Sequence, residues 1–144
     1  MEPRKISVRQ LEGGAVLVQN AFLSLRWFPT FRLVLLTRTS QAFQTAADVE
    51  HCTTEIARAL PRSARGGARI VLDMRQAPVR VHPALDPAFE RFRRETETGF
   101  ARSAIVAVTP LGRVRADRLA SAASFPMRVV GSLEAALEFI SELR

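Results

Sequence analysis

The chain has 144 residues, a length typical of one domain. Its composition, with 47% hydrophobic and 24% charged residues, is ordinary for a globular protein. No apolar run approaches the roughly 20 residues needed to cross a bilayer, and the amino-terminal segment lacks the apolar core of a secretion signal. The single cysteine, Cys52, excludes an internal disulfide and a cysteine-built metal site. These features predict a cytoplasmic protein with no membrane span.

The net charge of +7 favours an anionic partner. Lys5 is the one lysine among 21 basic residues, so the positive charge is almost entirely arginine. The arginines are dispersed along the chain, and with no tyrosine and one tryptophan there are few aromatic platforms for stacking bases. Nucleic-acid binding is therefore a third hypothesis, behind contact with a protein and binding of a small ligand.

The amino-terminal third predicts strands. Residues 6–11 alternate apolar and polar, and an apolar run at 15–18 follows Gly13-Gly14, which predicts a β-hairpin turning at the two glycines. Residues 22–28 alternate again. Residues 31–37 are apolar on both faces, as in a central strand.

Two helices and a strand follow. Thr45 and Asp48 form a capping pattern for the first helix, whose apolar stripe includes Cys52. Residues 70–72 predict a buried strand. Asp86-Pro87 begins the second helix, with Asp86 as its cap. In that helix we expect Phe89, Phe92 and Thr96 to face inward, and Glu90, Arg93, Arg94 and Glu97 to face out.

The carboxyl-terminal third repeats the pattern. Residues 104–108 predict a strand, and Thr109-Pro110 begins a third helix. Residues 127–130 predict the last strand, and Ser132 caps the final helix. The inward stripe of the third helix is predicted to include Leu111, Val114 and Leu119.

From residue 31 onward strands and helices alternate, which predicts right-handed crossovers and a mostly parallel sheet. The fold class is therefore α/β: one domain spanning residues 1–144, with a mixed, mostly parallel sheet, an antiparallel amino-terminal hairpin and four helices. An exposed edge of the hairpin leaves pairing with a second copy of the chain open.

Catalytic and metal-binding patterns are not evident. His51 and His82 lie in different elements, without partner cysteines. Asp73 ends a central strand, and we expect it to accept loop amide hydrogen bonds or to pair with Arg75. The sequence therefore predicts a protein that is not an enzyme and uses no cofactor.

The best candidate surface is the loop at 74–85, which is longer than such connections usually are and is stiffened by Pro78 and Pro83. The next strand end and two helix amino termini are expected at the same edge of the sheet. An anion or an acidic partner could bind there. The candidate binding residues are Asp73, Arg75, Arg80, His82, Thr109 and Arg113.

A family resemblance rests on three segments: ARIVLDMRQAP, GFARSAIVAVTPLGRVRADRLA and VVGSLEAALEFI. They resemble the STAS-like superfamily, especially its branch similar to anti-sigma factor antagonists, in which a strand ends in Asp-x-Arg (here Asp73 and Arg75). The resemblance implies a bacterial regulatory or protein-interaction module. Members of that branch are switched by phosphorylation at a Ser or Thr where the helix after the central strand begins. This chain reads HPALDP at 82–87 and departs from that pattern.

Two hypotheses therefore lead. The first is a non-catalytic regulatory module that contacts another protein through the loop. The second is a domain that binds a small anionic or lipid-like ligand at the same edge, since related proteins in the wider superfamily resemble lipid- or nucleotide-binding modules.

Overall fold

The computed structural model describes residues 6–78, 83–122 and 126–142. Six strands form one sheet: β1 (Ala15–Gln19), β2 (Leu23–Phe28), β3 (Leu33–Arg38), β4 (Arg69–Asp73), β5 (Arg102–Val106) and β6 (Met127–Val130). The four α-helices of this part of the chain are α1 (Ala46–Ala59), α2 (Asp86–Glu97), α3 (Pro110–Ala122) and α4 (Leu133–Ser141). The predicted α/β fold class is confirmed.

The strands lie in the sheet in chain order, β1 to β6. β1, β2 and β3 are antiparallel neighbours, and β3 to β6 are parallel. Successive right-handed crossovers that advance in one direction place their helices on one face of a sheet. That face packs against α1, α2 and α3, whereas α4 packs on the other face.

The sheet therefore has a core on each side. Strand residues alternate between the two cores, so Leu36, Leu72 and Ile105 face α1–α3 while Val71 and Val106 face α4. Each fully buried aliphatic side chain contributes about 1.5–3 kcal/mol relative to exposure. Burial on both sides explains why β3, β4 and β5 are nearly continuous apolar runs. In the described part of the chain, no helix combines the length and the apolar character that crossing a membrane requires.

Three predicted helix caps are confirmed, one of them at Thr109, whose hydroxyl accepts from the Gly112 amide at 3.0 Å. The Asp48 amide donates to the Thr45 hydroxyl at 3.2 Å, and the Asp48 carboxylate accepts from the Thr45 amide at 3.2 Å. The Ser132 hydroxyl accepts from the Ala135 amide at 3.1 Å. Cys52 is buried, as its place on the apolar stripe of α1 predicts.

The predicted hairpin at 6–18 is wrong in its first strand. Val8–Gly13 forms a 3₁₀ helix, because Ser7 and Gln10 make a reciprocal capping arrangement that closes a turn. Ile6 and Leu11 are buried in the core on the α4 side. The first antiparallel hairpin of the fold is instead β1 with β2, which turns at residues 20–22.

The second helix differs from the prediction at both ends. The 3₁₀ turn Pro83–Leu85 runs directly into α2, so Asp86 is the first helical residue and makes no capping hydrogen bond. Glu97 was expected to face solvent, yet it is 4% exposed. Its position at the last turn of α2 lies on the flank that faces α3 rather than on the outer face.

The third helix is rotated relative to the prediction. Leu111 is 60% exposed and Val114 is 49% exposed, so neither belongs to an inward stripe. Among the described side chains of α3, Ala116 is the buried one, and Gly112 lies on the same side one turn earlier. The side chain of Leu119 lies outside the described residues.

Several arginines donate to main-chain carbonyls inside the fold. Arg65 is fully buried and donates to the carbonyls of Leu60 and Thr98 at 3.1 and 2.8 Å. Arg69 and Arg102 donate to the carbonyls of Ile140 and Phe139 in the last turn of α4. Because cations stabilise helix carboxyl termini, these arginines hold helix ends together. Part of the high positive charge therefore has an internal structural role.

Candidate functional site

A groove of about 470 Å³ lies between α2 and α3, over the carboxyl halves of β4 and β5. Its floor is apolar and is formed by Leu72, Ile105 and Ala107. Phe89 and Phe92 of α2 line one wall, and α3 forms the other. In sheets of this type ligands bind outside the carboxyl ends of the strands, so the groove lies where a binding site is expected.

The rotation of α3 creates the space. α3 turns Gly112 and Ala116 toward the sheet, and these small residues line the groove. Leu111 and Val114, which would fill the space if they faced inward, point outward instead. α1 and α2 pack against each other, whereas α3 packs on β6, so the helix layer opens on the α3 side of α2.

An aromatic cluster supports the α2 wall. The ring of Phe43 stacks on Phe22 with centroids 4.7 Å apart and meets Phe89 edge-on at 5.5 Å. The Arg38 guanidinium lies over the Phe43 ring, 4.3 Å from its centroid, and donates to the Phe22 carbonyl at 2.9 Å. Burial lowers the pKa of Arg38. Packing of this kind fixes the rings, so the wall is preformed.

Asp73 and Arg75 form an ion pair at the carboxyl end of β4, as the sequence predicts. Arg75 Nε and Nη2 each donate at 2.9 Å to the two oxygens of the Asp73 carboxylate, and the Arg75 amide also donates to it at 3.2 Å. The hydrogen bonds to Asp73 raise the pKa of Arg75. Asp73 is buried on the α4 side of the sheet, beside Val106, and holds the 43% exposed Arg75 side chain at that strand end, where Glu134 of α4 also raises the pKa of Arg75.

Thr109 and Arg113 have different positions and different hydrogen-bond partners. The Thr109 hydroxyl accepts from the Gly112 amide at 3.0 Å, so it caps α3 while lining the groove. Arg113 Nη1 donates to the Ala107 carbonyl at 3.3 Å and lies near Gly131, on the β6 side of α3. The structure therefore pairs Asp73 with Arg75, places Thr109 in the lining of the groove and directs Arg113 toward β6. Arg80 and His82 lie outside the described residues.

The α2 side of the groove carries acidic groups that sequence reasoning had placed in solvent. Glu97 lines the groove, and its carboxylate accepts from Arg93 at 3.3 Å. Arg93 also donates to Glu90 at 2.6 Å. Burial raises the pKa of Glu97 to about 7, against the opposing effect of Arg93. Near neutral pH this carboxyl is therefore close to half protonated.

The α3 side is basic. Arg115 and Arg118 line the groove from α3, and Arg118 is exposed. They place basic residues along one wall of the apolar floor. Guanidinium groups recognise carboxylates and phosphates through paired hydrogen bonds. The arrangement can hold a molecule with an apolar body and an anionic end.

Sequence reasoning identified the edge of the sheet but missed most of the groove. A signal for its α2 wall was present, since Phe89, Arg93 and Glu97 recur every four residues and share one side of the helix. No comparable signal identified the α3 wall, because Leu111 and Val114 have the same spacing as an inward stripe.

In the described part of the chain, no group of three or more His, Cys, Asp and Glu side chains is placed to hold a metal ion. Comparison with known proteins adds no relative: no family model, no curated protein and no solved structure matches this chain. The STAS-like resemblance therefore stays a prediction.

Proposed function

We propose that this protein is a binding domain for a small amphipathic anion, which it holds in the groove between α2 and α3 without catalysing a reaction. The observation that carries the proposal is the combination of an apolar floor with arginine side chains at the rim. This is the second of the two leading hypotheses from the sequence.

The size and lining of the groove support the proposal. Small-molecule sites typically measure about 300–1,000 Å³ and are mostly apolar with a few polar groups that orient the ligand. The groove has a volume of about 470 Å³ and falls within that range. Leu72, Ile105 and Phe92 offer an apolar surface to the body of a ligand, and burying it supplies the main driving force for binding.

The charges orient the ligand. Arg118 is exposed at the rim on α3, and Arg115 lies on the same wall. Glu97 disfavours a second negative charge within the groove. A molecule with one anionic end near the arginines and an uncharged body over the floor satisfies both requirements. Fatty acids and aromatic sulfonates belong to this class.

The experiment is a displacement assay with anilinonaphthalene sulfonate, an amphipathic anion whose fluorescence rises in apolar sites. We expect the dye to bind and decanoate to displace it at lower concentration than decanol does. Arg118→Glu should weaken decanoate binding at least fivefold, because it replaces an attractive charge with a repulsive one. Decanol binding should change little, since the alcohol carries no charge.

The matched control is Arg58→Glu, because Arg58 is an exposed arginine near the end of α1. It changes the net charge equally and should leave the decanoate affinity unchanged. Equal losses in the two variants would show that only the overall charge matters and would contradict the assignment of the groove. Failure of decanoate to displace the dye from the wild-type protein would contradict it as well.

The regulatory protein-interaction role stays a prediction. Nucleic-acid binding gains no support from the charge, because Arg65, Arg69 and Arg102 serve internal carbonyls. Binding to a sigma-factor regulator or to another protein would be tested by comparing the proteins that the wild type and Arg75→Glu recover from lysate. The displacement assay does not depend on that outcome.

A further inference from the structure

The outer face of α3 carries large apolar residues where a helix of a globular protein usually carries polar ones. Leu111 and Val114 are 60% and 49% exposed, and Val108, just before the helix, is 51% exposed. Leu111 and Val114 are three residues apart and share the solvent side of the helix. Together with Val108 they form a continuous stretch that we name the α3 patch.

Arginines flank the α3 patch. Arg118 lies one turn beyond Val114 on the solvent side, Arg115 lies toward the groove and Arg113 toward β6. Asp117, also exposed, is the carboxylate on this surface, so α3 keeps a net positive charge. The whole chain carries +7. The patch therefore combines exposed aliphatic side chains with a surrounding cationic field.

We infer that the α3 patch docks this protein on an anionic lipid bilayer. Aliphatic side chains that enter the interface, with guanidinium groups beside them at the level of the headgroups, are the elements of peripheral membrane binding. Charge complementarity selects anionic over neutral lipid. The choice of a bilayer rests on the proposed function. Val108 belongs to both the α3 patch and the lining of the groove, so a bilayer bound at the patch would lie next to the groove and could supply it with amphipathic anions.

The size of the patch favours a bilayer over a folded protein partner. A stable protein interface buries about 800 Å² on each partner and involves about 20–30 residues a side. The α3 patch consists of three apolar side chains and their arginine neighbours. A bilayer needs no complementary shape, so a small apolar patch within a positive field is sufficient for reversible binding.

The test is co-sedimentation of the full chain with vesicles of phosphatidylcholine alone or mixed with phosphatidylglycerol. We expect binding to the anionic vesicles that weakens as salt is raised, and little binding to the neutral ones. The double variant Leu111→Ser/Val114→Ser should bind the anionic vesicles at least fivefold more weakly. Neither residue lines the groove, so the variant should still bind decanoate as the wild type does.

Val16→Ser is the matched control, because Val16 is also 49% exposed but lies on β1 at the far edge of the sheet. It should sediment as the wild type does. Equal loss in the control and the double variant would overturn the inference, and so would no binding to anionic vesicles at low salt. Dye displacement by decanoate without vesicle binding would contradict docking of the α3 patch on a bilayer but not ligand binding in the groove. It would favour an acidic protein as the partner of the patch. Vesicle binding without dye displacement would contradict ligand binding in the groove but not membrane docking by the α3 patch.

Discussion

Glu97 makes the stability of this protein depend on pH near neutrality. Burial raises the pKa of Glu97 from 4.5 to about 7. Between these values the folded state keeps a proton that the unfolded state has released, so the free energy of unfolding falls as the pH rises through this window. The loss is complete above pH 7 and amounts to at most about 3 kcal/mol.

Glu97→Gln removes the titrating group and keeps an oxygen that can accept from Arg93. We expect the variant to gain stability relative to the wild type as the pH is raised from 5 to 8, measured by urea unfolding. Glu90→Gln is the control, because Glu90 is exposed on the same helix and Arg93 lowers its pKa. Parallel stability profiles for Glu97→Gln and the wild type across this range would contradict the burial of a titrating carboxyl.

Arg65 is the largest of the fully buried side chains. Besides the carbonyls of Leu60, Glu95 and Thr98, it contacts the Glu95 carboxylate at 3.1 Å and lies 5.0 Å from the centroid of the Phe100 ring. Arg65→Met leaves these acceptors without a donor, so we expect a loss of about 3–5 kcal/mol in unfolding free energy. Arg62→Met removes an exposed partner of the same Glu95 and should cost about 1 kcal/mol or less. Similar costs for the two variants would contradict the structural role of Arg65.

At the scale of an element, the start of α3 depends on two residues acting together. A Cβ on Gly112 would lie 2.7 Å from the Thr109 hydroxyl oxygen, so an alanine there must displace the cap. Thr109→Ala should cost about 1 kcal/mol, the usual value of such a cap. Gly112→Ala should give little net change, because the helix propensity of alanine offsets the displaced cap.

In the Thr109→Ala background the obstacle is gone, and Gly112→Ala should then stabilise the protein by up to about 1 kcal/mol. The double-mutant cycle, measured by thermal unfolding, should therefore show a coupling of about 1 kcal/mol. Additive effects would mean that Gly112 is not required for the close approach to Thr109.

The elements differ in how far their sequences determine them. Three helix starts were identified because capping is a local interaction: Thr45 with Asp48, Thr109 with Pro110, and Ser132. Residues 8–13 were misassigned because alternation in so short a segment also fits a 3₁₀ turn closed by Ser7 and Gln10. The orientation of α3 was predicted wrongly because two pairs of residues each have the spacing of one helix face, namely Leu111 with Val114 and Gly112 with Ala116. The larger apolar side chains of the first pair favoured its placement toward the sheet, whereas in the structure the second pair faces the sheet.

At the scale of the molecule, the monotonic strand order puts α1, α2 and α3 on one face, and that arrangement leaves the groove at the side of α3. The sequence predicted the alternation and the parallel sheet, because both follow from patterns along the chain. It could not predict the groove, which arises from the spacing of helices that are distant in sequence. The predicted binding residues were accordingly placed at two strand ends and in the loop at 74–85, with Arg113 the one on a helix.

α3 should be the least protected helix of its layer. α1 packs against α2 and the sheet, whereas α3 turns small residues inward and borders open space. Hydrogen exchange should therefore show the amides of α3 exchanging faster than those of α1. Saturating decanoate should slow exchange in α3 more than in α1. Equal protection of the two helices without ligand would contradict the loose packing of α3.

The most direct measurement is a map of backbone amide chemical shifts as decanoate is added to the isotopically labelled protein. The account predicts saturable shifts concentrated in the second half of β4 and β5, in α2 and in α3, with Leu72, Phe92 and Ala116 among those that move most. Shifts gathered around α4 on the opposite face, or the absence of saturable shifts, would contradict binding of an amphipathic anion in the groove.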